Sequence, residues 1–154
     1  MTGPLRLDLR VPADPLRRAD PVPVVVVLTN AGSSPVLVNR RMAPGYVDSI
    51  SREVYFDMDM DTAGDGGDGD GGYGGGGYGQ RKYERELPAA ADFGPLGAGE
   101  QIRAEIDLLG WYRLRAPGTY RVRAHYRCDE ELAEPPAGTF AGVVDSPVMT
   151  VVVI

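Results

Sequence analysis

The stretch Leu114-Arg-Ala-Pro-Gly-Thr-Tyr-Arg-Val-Arg-Ala-His-Tyr126 leaves this chain the fewest folds. Pro117-Gly118 predicts a tight turn. After it, Tyr120, Val122, Ala124 and Tyr126 occupy every second position, with Arg121, Arg123 and His125 between them. A period of two sends alternate side chains to opposite faces, so the run predicts a half-buried strand with a wet outer side. Cys128 continues the apolar parity and reads as a small buried hydrophobe. His125 falls on the other parity and reads as a solvated surface position.

The same period recurs along the chain. Leu5, Leu7, Leu9 and Val11 alternate with Arg6, Asp8 and Arg10, and Pro12, Pro15 and Pro21 end that strand. Val24 to Asn30 is apolar on both parities, as a central strand would be, and Ala31-Gly-Ser-Ser34 supplies the turn into Pro35-Val-Leu-Val38. Residues 39–51 are polar and predict a loop. Val54, Phe56, Met58 and Met60 alternate with Tyr55, Asp57, Asp59 and Asp61 in a fourth strand. Lys82 to Leu87 reads as a short edge strand returning from the segment that follows residues 54–61, Leu96-Gly-Ala-Gly-Glu100 as a turn, and Ile102, Ala104, Ile106 and Leu108 give the fifth main strand. Trp111-Tyr112 sits at a crossover where it would close one end of the core. An acidic, proline-rich connection over 129–142 leads to a closing strand over 147–154. About seven short strands with no helical pattern predict an all-β chain, a single antiparallel two-sheet sandwich spanning residues 1–154.

Composition excludes several functions. A chain of 154 residues can bury a core without staples, and its one cysteine rules out an intrachain disulfide or a multi-cysteine zinc site. The formal charge of −6 gives no electrostatic footprint for DNA or RNA. The opening Met-Thr-Gly-Pro-Leu-Arg lacks the apolar centre of a secretory signal, and no apolar run approaches the roughly 20 residues of a membrane span. The expectation is a cytoplasmic protein with no membrane span.

From 61 to 80 the composition turns abruptly to Gly, Asp and the two tyrosines Tyr73 and Tyr78. Glycine loses the most backbone entropy on ordering, and almost no apolar side chain is present to offset it, so the segment reads as a low-complexity insertion within the domain. Its pattern Gly64-x-Gly66-x-x-Gly69 is not followed by a helix whose N-terminus would bind a phosphate, which argues against nucleotide binding. Asp57, Asp59, Asp61, Asp65, Asp68 and Asp70 are candidate calcium ligands, since calcium takes six to eight oxygens and Asp at alternate positions supplies them. The first three match positions one, three and five of an EF-hand loop. Thr62 then stands where the turn glycine belongs, and Asp68 replaces the bidentate glutamate. A solvated acidic loop is the competing reading, and no other cofactor is implied.

Catalysis finds little support. His125 is the only histidine, Cys128 lies on the opposite parity, and no Gly-x-Ser-x-Gly elbow exists. Leu114, Pro117-Gly118 and Tyr120 resemble the tyrosine corner of immunoglobulin-like and fibronectin-type sandwiches, in which a tyrosine hydroxyl ties a strand to the backbone just before it. The Val24 to Asn30 strand and its turn, Val54-Tyr-Phe-Asp-Met-Asp, Leu96 to Glu100, and Ile106-Asp-Leu108 through Tyr120 together resemble small bacterial immunoglobulin-like modules typified by the intracellular proteinase inhibitor family. That resemblance implies a non-enzymatic module that binds another protein, or further copies of itself, through loops or a sheet edge. A structural subunit of a larger assembly, its Gly-rich loop ordering on contact, is the alternative. Interface hot spots favour Tyr and Arg, so the candidate contact residues are Tyr46, Arg40, Arg41, Tyr73 and Tyr78, although Arg40-Arg41 and the Arg121/Arg123 stripe read first as solvated faces.

Overall fold

A computed structural model describes residues 3–45, 53–61, 89–112, 116–128 and 136–154. The protein is all-β with open antiparallel sheets, and among the described residues the only helical pieces are 3-10 turns at Ala90–Asp92 and Leu108–Gly110. The strands in chain order are β1 (Leu5–Arg10), β2 (Pro23–Asn30), β3 (Val36–Asn39), β4 (Val54–Asp61), β5 (Phe93–Leu96), β6 (Gln101–Asp107), β7 (Gly118–Cys128), β8 (Gly142–Asp145) and β9 (Met149–Val153).

Three sheets form. β2 lies between β1 and β6, β3 pairs with β5, and β7 pairs with β4 on one side and with β8 and β9 in series on the other. The central place of β2 explains its two apolar parities: Val24, Val26 and Leu28 join the core, while Val27 is buried on the opposite face between Asp8 and Arg103 of the neighbouring strands. The alternation that predicts β7 is met residue by residue, with Tyr120, Val122, Ala124, Tyr126 and Cys128 all buried. Leu5, Leu7 and Leu9 of β1, Phe56 and Met58 of β4, and Val151 and Val153 of β9 share one apolar cluster with them, as do Trp111 and Tyr112.

Buried tyrosine hydroxyls fasten strands to irregular backbone. Tyr120 donates to Ala116 O at 2.6 Å and accepts from Ala116 N–H at 3.3 Å, the corner the sequence predicts. Tyr126 donates to Asn39 O at 2.8 Å and accepts from Asn39 N–H at 3.1 Å, tying β7 to the end of β3. Tyr112 reaches Gly45 O and both backbone groups of Phe56. Each satisfies main-chain groups that no strand pairs, which a buried chain cannot leave open.

Turn chemistry is local. The Asn30 side chain accepts from Gly32 N–H and donates to Ser34 O and Leu96 O. A Cβ on Gly32 would lie 2.6 Å from Pro4 Cβ, so only glycine lets that turn close against the start of β1.

Two strands are additions to the sequence reading. Leu96, assigned to a turn, ends β5, whose Gly94-Pro95 centre hides any strand signal. β8 opens at Gly142, inside the segment read as a connection. Between β8 and β9, Ser146, Pro147 and Val148 stand against only Arg123 and Ala124 of β7, so the edge bulges by one residue. Ser146 Oγ accepts from Ala124 N–H at 2.9 Å, and Ser146 N–H donates to Ala124 O, so the bulge strands no polar group on β7. Leu16 then pairs in parallel along β9, donating to Val152 O and accepting from Ile154 N–H. The predicted 82–87 strand and the 61–80 insertion lie outside the described residues, except for Asp61 at the end of β4.

Candidate functional site

The outward face of the β4-β7-β8/β9 sheet is built by register. Across it run Asp59, Arg121 and Thr150; Asp57 and Arg123; Tyr55, His125 and Asp145; and Arg127 with Val143. Reading down the strands instead, β4 gives a tyrosine and an acidic lane, β7 a cationic lane, and the β8-β9 edge a mixed lane of Val143, Asp145, Thr150 and Val152.

At the centre, His125 is buried rather than solvated as its parity suggests. Its Nδ1 lies 2.6 Å from Asp145 Oδ1 on β8 and its Nε2 lies 2.6 Å from Asp57 Oδ2 on β4, so one ring spans three strands. Tyr55, directly across on β4, stacks on the imidazole with centroids 4.7 Å apart, and the Arg127 guanidinium sits 4.7 Å from the Tyr55 centroid. This layer of aromatic, imidazole and carboxylates removes the ring from water. Burial pushes the Tyr55 hydroxyl above its usual value; Arg127 opposes that shift, and Asp57 and Asp145 reinforce it.

The arrangement restricts chemistry. A carboxylate oxygen faces each ring nitrogen, so neither nitrogen is open to take a proton from a substrate. The imidazole is a clasp between β4 and β8.

Further along, Arg121 Nη2 pairs with Asp59 Oδ2 at 3.0 Å on the exposed surface. Arg123 is exposed and lies directly opposite Asp57, whose carboxylate is taken by His125. Among the described residues the exposed large hydrophobics are Val143, Val148, Val152 and Ile154, at 36–63% exposure. All of them fall in the β8-β9 edge or its end, and the strand alternation places Val143 and Val152 on the outward side.

The candidates named from sequence are scattered. Arg40 and Arg41 do not form one patch. Arg40 donates to Pro95 O at 2.8 Å on the surface. Arg41, read first as solvated, makes a two-pronged ion pair with Glu53, which is buried at 4% exposure and also accepts from Ala43 N–H. A carboxylate this deep needs the guanidinium and the amide together. Tyr46, Tyr73 and Tyr78 lie outside the described residues, as do Asp65, Asp68, Asp70 and the Asp61 side chain. Of the calcium candidates that remain, Asp57 serves His125 and Asp59 serves Arg121. Among the described residues no three His, Cys, Asp or Glu side chains gather to hold a metal ion.

Sequence reasoning missed the His125 cluster because its partners are 68 and 20 residues away. The available signal was the charge pattern, an acid lane on β4 matching a cation lane on β7 once the two strands are set antiparallel. Among the described residues no helix is long and apolar enough to cross a membrane. The chain matches no known protein-family model and no curated protein.

Proposed function

We propose that this chain is a non-enzymatic protein-binding module, an immunoglobulin-like β-sandwich that works through the outward face and edge of its four-stranded sheet. The observation that carries this reading is the three-lane face, where the exposed large hydrophobics among the described residues all lie along the β8-β9 edge, on the same sheet as exposed arginines. A clustered apolar strip next to charge is the usual mark of a contact surface. The sandwich reading rests on the inward faces of the β1-β2-β6 and β4-β7-β8/β9 sheets sharing one core, and on the Tyr120 corner. The non-enzymatic reading is supported by the clasped histidine, whose two ring nitrogens both face carboxylates. Proteinase inhibition is the specific form that the sequence resemblance implies.

In-cell crosslinking of a tagged chain, followed by reconstitution with purified components, tests the proposal. One protein, or the chain itself, should bind the purified module reversibly and protect the β8-β9 edge from hydrogen exchange. A chain that crosslinks to nothing and runs as a lone monomer by native mass measurement would refute it.

A further inference from the structure

Resting on that reading, we propose that the outward face seats an acidic, apolar-flanked segment of a partner polypeptide, with a partner carboxylate on Arg123 and partner apolar side chains on Val143, Val148 and Val152.

The argument starts from where the acids of this face are spent. Asp59 is held by Arg121, and Asp57 and Asp145 are both held by His125. Register alone would give Asp57 to Arg123, because the two are direct cross-strand partners. His125 draws that carboxylate toward its own ring instead, and Arg123 is left exposed in the middle of the sheet with no acid on it among the described residues. A guanidinium recognises carboxylates through paired N–H donors.

On the far side of β7, Val148 stands in the three-residue bulge opposite Arg123 and Ala124, with Val143 paired to Arg127 and Val152 to Thr119, each four residues along β7 from Arg123. Charge and shape therefore ask for one occupant, a polypeptide segment with a carboxylate flanked by apolar side chains. An anionic membrane would also offer negative charge to Arg123. A headgroup plane would meet all the exposed carboxylates of this face at once, whereas an extended segment can set a single carboxylate on Arg123 and apolar side chains on the valines along the β8-β9 edge. His125 is then a positioning residue that sets Arg123 free.

The Val/Glu probe is a fluorescein-labelled synthetic peptide, Ser-Val-Ser-Glu-Ser-Val-Ser, whose extended form sets one Glu and two flanking Val on the same face; Val/Lys and Val/Ser versions, with Lys or Ser in place of the Glu, are the controls, and binding is measured by anisotropy on the full chain. The Val/Glu peptide should bind, the Val/Lys peptide should not, and Arg123→Ala should weaken Val/Glu binding by about tenfold or more. His125→Asn should weaken it similarly, by returning Asp57 to Arg123, while leaving the Val/Ser affinity unchanged. The double variant Asp57→Asn/His125→Asn should restore binding, which a role confined to stability would not produce. Circular dichroism establishes that each variant is folded.

Equal binding of Val/Glu peptide to the Arg123→Ala variant would overturn the proposal. So would binding to phosphatidylglycerol vesicles with none to the peptide. A native partner that binds Arg123→Ala as well as the parent would leave the module standing and refute this face, whereas recovery of no partner at all would refute the module.

Discussion

Two ion clusters in this molecule invert each other. In the Arg41–Glu53 pair the acid is buried, at 4% side-chain exposure, and the cation keeps 18%. Around His125 the ring is buried, at 9%, while Asp57 and Asp145 are 68% and 56% exposed. A buried carboxylate without its partner has no route back to water, whereas an exposed carboxylate released from its partner is simply hydrated. The first cluster is therefore a structural commitment, and the second can be edited.

The largest expected effect breaks the first cluster. Arg41→Ala leaves Glu53 charged and buried, and should cost about 3–5 kcal/mol in denaturant unfolding. Changing both residues to apolar ones of similar volume, Arg41→Met with Glu53→Leu, should recover most of that loss, because the desolvation penalty goes with the pair. A double variant as unstable as the single one would show that Glu53 acts through Ala43 N–H instead.

Next is the tyrosine that binds β7 to β3. Tyr126→Phe strands the N–H and the carbonyl of Asn39 in a buried place, at about 1–3 kcal/mol, whereas Tyr120→Phe at the part-buried corner should cost about 0.5–1.5 kcal/mol. Equal losses would mean that water replaces the Tyr126 hydroxyl.

The same tyrosine gives a pH dependence. Burial raises the Tyr126 hydroxyl far above its ordinary 10.0, and Tyr120 shifts in the same direction. The folded state thus favours the neutral phenol; that contribution is complete below pH 10 and is lost as pH rises through the folded-state value. Stability should fall from about pH 10 upward, and less steeply in Tyr126→Phe. A slope unchanged by the substitution would assign the alkaline loss to other groups.

The smallest effect sharpens the contrast. Asp59→Asn removes only an exposed pair and should change stability by about 0–1 kcal/mol, less still at high salt. A loss as large as that of Arg41→Ala would erase the distinction between the clusters.

Much of the scaffold is legible in sequence because it rests on local alternation. β1, β4, β6 and β7 show a period of two, β2 and β9 stand out as short apolar runs, and the Tyr120 corner lies within four residues of its acceptor. β5 and β8 were not legible, since four residues containing Gly94-Pro95 or starting at Gly142 cannot display a period. The burial of His125 and the buried partner of Arg41 are hidden for another reason. Both sit on nominally wet positions: His125 meets its acids through strand register, and Arg41 meets Glu53 across the segment that precedes β4, so their surroundings follow from tertiary placement rather than composition.

The outer edge at β9 carries a further consequence. Pro147-Val-Met-Thr-Val-Val-Val-Ile154 combines β-branched residues with no charge, the composition from which stacked fibrils grow. Growth needs a flat, unpaired strand, and the one-residue bulge at Ser146-Pro147 together with the Leu16 segment denies it one. The segment around Leu16 is thus a guard whose removal would turn this uncharged, β-branched strand into a template for polymerisation.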